Sequence, residues 1–465
     1  MTRSMPRRPL CSLAFSATVL LASVATADPP PPQLSAAQMR EDLSYLRGTW
    51  AHEDRSFSPA ARREFARAAN ALDAQLANLT PPQFALEVAR LVTIGGNGHT
   101  TVALPEMDVL PIRLWWFDDG LYIVSADPSH AQLVGAKVVR IGARTAEEAQ
   151  AGVAVFVPGN DAHRRVEAPR LLRNPLALQR AGVVSDSRAV QLTVIDRGGA
   201  TRRVSLRPQP AVEPTSDDTW QVLVPDGDGP SRWPHVLDAH PRPTAFGAPT
   251  DLAWEWLSTS PRVLYVRSNQ IQGMGDARLD MKLLEMTTKE LVDPPAQHVI
   301  VDLRFNMGGN FFNTILFAQA LPRLVAPGGK VFVLTGPVTF SAALVTAAML
   351  KDHGDGNVVF VGSHMGDYDR FWAEGRNLKL PNSGMSVRYS DGYHDWAGPC
   401  REPTCLWATR VYGPQQPISL EPDVRAPMLF ADYAHGIDAA LSRALQLATA
   451  DIADQVTRVQ DTNSH

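Results

Sequence analysis

The chain has 465 residues, 45% of them apolar and 20% charged, with a formal net charge of −4. That length exceeds what one hydrophobic core supports, so two or three domains are expected. The slight acidity and the lack of any Lys/Arg run exclude the electrostatic footprint of a nucleic-acid binder.

Arg3, Arg7 and Arg8 precede the apolar run LCSLAFSATVLLASV, and Ala25 and Ala27 close it in a small-x-small pattern. This is the layout of a signal peptide over 1–27, leaving a mature chain that begins at Asp28 and is exported, periplasmic or secreted. The run is short for a membrane span, so no stable membrane anchor is expected after cleavage. Past the DPPPPQ spacer, residues 34–94 show helical periodicity, which makes 28–105 a helical N-terminal region. GGNGHTTVALP punctuates its end.

Over 106–212 the pattern changes to short strands: IRLWWF, GLYIVSA, AKVVRIG, VQLTVID and RRVSLR, with two helical patches between them. Short strands of this kind predict a compact β-rich module. Residues 213–260, rich in Pro, Asp and Trp, have no period and read as a linker or elaborated loop. From 261 to 465 continuous apolar runs (262–268, 298–304, 330–335, 357–362) alternate with helical patterns at 276–292, 311–325 and 341–353, and a last helix covers 433–450. Such alternation predicts an α/β core, a doubly wound and mostly parallel sheet covered on both faces.

In an open α/β sheet, ligands bind beyond the carboxyl ends of the strands. Three loops qualify: FNMGGN after the second core strand, Pro337–Ser341 after the third, and GSHMGDYDRFWAEG after the fourth. Gly308 and Gly309 can present bare backbone N–H groups, as an oxyanion site requires. Ser341 stands where a strand pattern stops and a helix pattern starts. It fits a helix N-cap and it fits a nucleophile placed at the positive end of the helix dipole. No Gly-x-Ser-x-Gly elbow, His-Glu-x-x-His, phosphate-binding loop or dinucleotide fingerprint occurs, and no metal or organic cofactor is expected. Cys400 and Cys405 in PCREPTC suit a disulfide in an oxidising compartment, or a metal site with His394 as a third ligand.

VIVDLRFNMGG, then TFSAA, then VGSHMG, in that order, resembles the core of the C-terminal processing (tail-specific) and tricorn-core serine peptidases. The resemblance implies Ser341 as nucleophile, an oxyanion hole from Gly308 or Gly309 with Ala342, and protein or peptide substrates. DGLYIVSADPSHAQLVGAKVVRIGARTAEEA is similar to the family's PDZ-type domain, and EPDV at 421–424 to its closing segment. The tail-specific branch carries a lysine base after the second glycine of the third loop, where this chain has Asp367. The histidine-using, tricorn-like branch takes its base from a GHT/S loop, and NGHTT places His99 there. That branch has a serine before the histidine; here it is Gly98. The orienting acid is expected to be Glu374 first and Asp367 second.

These observations imply an exported serine endopeptidase with a PDZ-like module that captures extended segments or C-termini. The other reading is a catalytically silent relative that binds an apolar ligand or peptide, with Trp115, Trp116, Trp372 and Trp396 as candidate walls.

Overall fold

The computed structural model describes residues 34–211, 219–225, 232–246, 252–271, 283, 285–286, 289–291 and 294–462. The signal peptide expected over 1–27 lies outside them, as does most of the 276–292 helical pattern. Among the described residues, no helix is long and apolar enough to cross a membrane.

The N-terminal region is built on the helices Ala36–Tyr45, Pro59–Asp73 and Pro81–Thr93, which follow Ser35, Ser58 and Thr80. Ser58 Oγ accepts from the Ala61 N–H at 3.2 Å, which satisfies a donor that the first turn leaves free. Proline at the first helical position costs no hydrogen bond and presets φ. Phe65, Ala69 and Leu72 on one helix, and Phe84, Val88 and Leu91 on another, recur at helical spacing and close a core around Trp50. The third helix runs straight into the Gly95–Thr100 loop that carries His99.

Six strands then form an antiparallel sheet: β1 Ile112–Phe117, β2 Gly120–Ala126, β3 Lys137–Ile141, β4 Arg144–Thr145, β5 Val190–Ile195 and β6 Thr201–Leu206. Their order is β1-β2-β3-β5-β6, with β4 paired to β3. Helices Ala146–Val153, Asp161–Leu172 and Pro175–Arg180 fill the connection from β4 to β5. In β5 Val190, Leu192 and Val194 point into the core, and the residues between them do not.

A second six-stranded sheet follows, formed by β7 Ala253–Thr259, β8 Arg262–Arg267, β9 His298–Asp302, β10 Lys330–Thr335 and β11 Val358–Gly362, with Val424–Arg425 as its last strand. All pairs are parallel except β7 with β8. Strand β7 lies inside the stretch read as linker. Its alternation was broken by a bulge between Trp256 and Ser258, and pairing with β8 makes it a strand. Side chains alternate between two covering layers. Leu264, Val266, Val299, Val301, Val331 and Val333 meet the helices Ile315–Leu324 and Ala342–His353. Tyr265, Ile300, Phe332 and Leu334 meet Leu441, Ala444 and Ala448 of the C-terminal helix. Burial on both faces is why these strands read as unbroken apolar runs. Between β11 and the last strand, β12 Arg370–Ala373 pairs with β15 Gly392–Asp395, and β13 Asn377–Lys379 with β14 Ser386–Arg388.

The architecture is thus α/β, with a helical N-terminal region and two six-stranded sheets, one antiparallel and one parallel-rich, beside two small two-stranded ones.

Candidate active site

Strands β9, β10 and β11 end side by side, and their loops meet beside helix Ala342–His353. Leu303 N–H donates to Leu334 O at 3.1 Å, Thr339 Oγ1 to Leu303 O at 2.8 Å, and Phe340 N–H to Asn306 O at 3.1 Å. These bonds lock the 303–309 loop onto the 336–341 loop.

Ser341 closes the second loop with φ 54° and ψ −124°, and its side chain makes no capping bond. An N-cap residue has extended dihedrals and accepts a first-turn N–H, so the cap reading does not describe it. A non-glycine residue in this region costs about 1–3 kcal/mol and persists only where its surroundings impose it. The helix behind it is buried continuously from Ala342 to Leu350, which fixes the turn.

Gly308 has φ 100°, and a Cβ there would stand 2.7 Å from Ser341 Cβ and 2.9 Å from Ala342 N. Only a bare backbone passes Ser341 this closely. The Gly308 N–H donates to Asn306 Oδ1 at 2.8 Å and is therefore committed. Of the three groups expected to hold an oxyanion, the N–H groups of Gly309 and Ala342 have no acceptor among the described residues. Asn306 itself is anchored by its amide to Ser268 O at 2.8 Å.

The third loop brings Asp367, whose Oδ2 lies 2.9 Å from His99 Nε2 and accepts from the Ser341 N–H at 3.3 Å. One carboxylate oxygen therefore bridges the imidazole and the main chain of the serine. His99 and Asp367 are nearly closed to solvent, with side chains 9% and 1% exposed. Asn160 amide bonds to Met365 O and Asp367 O, at 3.1 and 2.9 Å, hold this loop from the antiparallel sheet's helical insert.

Glu374, first choice for the orienting acid, is placed elsewhere. Its Oε1 lies 3.3 Å from His394 Nε2. The His394 ring holds this carboxyl below the usual range against the opposing effect of burial, with His99 and Arg388 adding to the lowering. Asp367, the second choice, is the carboxylate on His99. His394 is thus engaged by Glu374 and by the Trp396 indole, whose N–H donates to Nδ1 at 3.2 Å. Cys400 and Cys405 form a disulfide with Cα atoms 6.1 Å apart.

Several residues that hold the site carried no signal in isolation. The His99 loop is pinned by Asn97, whose amide donates to Thr100 Oγ1 and Trp372 O, both at 2.9 Å, and by Thr100, which donates to Asp54 Oδ2 at 3.0 Å. All of Asp54, Asn97 and Thr100 are buried, so these bonds satisfy groups that would otherwise be costly. At the mouth of β9, Arg304 is shared between Asp302 (2.6 Å) and Asp438 (2.6 Å), and Tyr265 donates to Asp302 at 2.7 Å. Asp302 and Arg304 belong to the DLR motif and Asn97 and Thr100 to NGHTT, while Asp54, Tyr265 and Asp438 lie far from both in the chain and carried no signal.

No family model matches the chain, and no curated protein does. Among solved structures it is similar to mature CPAF complexed with lactacystin, at 14% identity and a TM-score of 0.57, over 90% of this chain and 99% of that one. Mature CPAF alone matches at 14% identity and a TM-score of 0.56, over 90% and 98%. The photosystem II D1 C-terminal processing protease matches at 11% identity and a TM-score of 0.37, over 87% and 98%. The chain therefore shares its fold with mature CPAF over 90% of its own length.

Proposed function

We propose that this chain is an exported serine endopeptidase that cleaves protein or peptide substrates through an acyl-enzyme. The observation that carries the proposal is Ser341. It is held at φ 54° on a strand-to-helix turn without capping the helix, and its main-chain N–H donates to the Asp367 oxygen that also meets His99 Nε2. Ser341 Oγ attacks the scissile carbonyl carbon, and His99 takes the hydroxyl proton and returns it to the leaving amine. Water then releases the acyl group by the same route in reverse. The N–H groups of Gly309 and Ala342 receive the oxyanion, aided by the helix dipole. Asp367 stabilises the imidazolium and ties it to the nucleophile's loop. Glu374 pairs with His394, which the Phe371 ring separates from His99, so it makes no bond to the base.

The antiparallel sheet is PDZ-like in this reading. Its exposed edge strand β6 offers unpaired backbone groups to an extended substrate segment or C-terminus. Export follows from the signal-peptide pattern over 1–27.

A second reading, a silent binder of an apolar ligand, draws on a cavity of about 90 Å³ that is open in part to solvent. Its walls include Trp115, Trp116, Phe117, Phe246 and Phe305, while Trp372 and Trp396 lie elsewhere. A fluorophosphonate probe separates the two. The peptidase reading expects stoichiometric phosphonylation of Ser341 with loss of fluoride, abolished in Ser341→Ala. A folded wild-type protein that stays unlabelled would leave the binder.

A further inference from the structure

The His99 imidazole lies inside a column of rings drawn from separate segments. His163 stacks on Phe340 at 4.6 Å between centroids, Phe340 on His99 at 4.6 Å, His99 on Phe371 at 5.1 Å, and Phe371 on His394 at 4.7 Å. The interplanar angles are 23°, 27°, 16° and 10°, so the column is close to parallel throughout.

A single hydrogen bond, Nε2 to Asp367 Oδ2, fixes one point of the His99 ring but leaves rotation about that bond free. Flat rings against both faces remove that freedom. One of them, Phe340, directly precedes Ser341, so the nucleophile's own loop holds one face of its base. The other, Phe371, lies on β12, whose Trp372 main chain is bonded in both directions to Asn97 in the histidine loop.

Space for the Phe340 ring depends on residue 98. A Cβ there would stand 3.0 and 3.1 Å from two atoms of that ring, closer than ordinary contact. The serine that the family resemblance places before the histidine would therefore press on Phe340. Glycine at 98 and phenylalanine at 340 belong together.

We propose that Phe340 and Phe371 are positioning residues that clamp the His99 imidazole, and that Gly98 is the gap that lets Phe340 take its place. This rests on reading Ser341 and His99 as nucleophile and base.

The test uses two readouts on the full chain: the rate of fluorophosphonate labelling of Ser341, in which the hydroxyl displaces fluoride from phosphorus, and the ring-nitrogen NMR signals of His99 in protein carrying isotope-labelled histidine. The second needs no activity. Losing one stacked face is expected to slow labelling about threefold to tenfold in Phe340→Leu and in Phe371→Leu, and to shift or broaden the His99 Nε2–H signal. Phe371→Tyr keeps a ring on that face and should stay within about twofold of wild type. Gly98→Ala should slow labelling by itself. The Gly98→Ala/Phe340→Leu double variant should be no slower than Phe340→Leu, because the clash and the clamp are one interaction. Gly98→Ala is mild enough to keep the test available where a leucine variant does not fold. Wild-type rates and unchanged His99 signals in both leucine variants overturn the proposal. So does a double variant whose losses simply multiply. If the probe never labels Ser341 yet the His99 signals respond as stated, the clamp stands and the peptidase reading falls.

Discussion

In the parallel-rich sheet β9 is buried at all five positions and β8 and β10 at all but their first, whereas in the antiparallel sheet β5 alternates and β6 is mostly exposed. The difference explains where chemistry can sit. Strands covered by helices on both faces have no free surface along their length, so polar groups gather where the strands end. Parallel strands all end on the same side, and there three loops and a helix N-terminus converge on Ser341. The antiparallel sheet has connections at both ends of its strands, so its loops do not gather at one edge, though its helical insert lends Asn160 to the Asp367 loop. What it leaves open is an edge, which suits capture of a segment rather than bond cleavage.

The comparison is sharpest at the base. His99→Ala should slow fluorophosphonate labelling of Ser341 at least about a hundredfold, the low end for removal of a general base. Stopped-flow or gel-based labelling reads this, and a rate within tenfold of wild type in folded protein would break the assignment. Asp367→Asn should cost more than Glu374→Gln in the same assay, because the bond to His99 is made by Asp367.

Gly308→Ala comes next. Its Cβ would meet Ser341 Cβ at 2.7 Å on a backbone with φ 100°, so the nucleophile's turn must shift. We expect labelling to fall by about tenfold or more, since misplacing oxyanion donors is costly. Thermal stability should change much less than labelling does. Equal losses in both would mean that Gly308 serves only the fold.

Asp438→Asn should separate stability from chemistry. Burial works to raise the Asp438 carboxyl, but the Arg304 guanidinium and the Leu441 N–H outweigh it and hold the group below its ordinary value. A carboxyl depressed in the folded state contributes stability that is fully present above its unfolded value, about 3.9, and is lost as pH falls through the folded value. Chemical denaturation should therefore show the wild type losing stability below about pH 4. Asp438→Asn should be flatter there and weaker by about 3 kcal/mol at neutral pH, as for other broken buried pairs. Labelling per folded molecule should hardly change. A pH profile parallel to wild type would remove Asp438 from the acid response.

At the small end, Arg203→Ala on the exposed edge strand β6 should leave both labelling rate and midpoint of unfolding unchanged. A measurable loss of labelling there would mean that the antiparallel sheet takes part in chemistry, and the contrast between the sheets would fail.

Legibility followed the same division. The core strands were readable because helices cover both their faces, which demands unbroken apolar runs such as VLYV and VFVL. The helices of 34–94 were readable because Phe65, Ala69 and Leu72 must recur at helical spacing to meet Trp50. Strand β7 was not readable, since a bulge breaks its alternation and its two tryptophans looked like loop residues. The four short strands from β12 to β15 were missed as well. Three or four residues carry too little pattern, and their pairing partners lie up to 25 residues apart.

At the site, the residue types at 99, 308, 309 and 341 and their order along the chain were determined by the sequence alone, and strand–loop–helix alternation sends the loops of 308–309 and 341 to one edge of a parallel sheet. The His99 loop instead follows an N-terminal helix and reaches that edge through tertiary contacts. What only the tertiary structure decided was how those groups are aimed. The dihedrals of Ser341 depend on the buried helix behind it and on Gly308 passing in front. The choice of Asp367 over Glu374 as the carboxylate on His99 depends on how the third loop turns, and the two candidates lie only seven residues apart. The rings of Phe340 and Phe371 look like ordinary core residues until they are seen on the two faces of one imidazole. Local pattern fixes which face of an element is apolar; the direction of a side chain at a crowded junction depends on contacts between segments far apart in the chain.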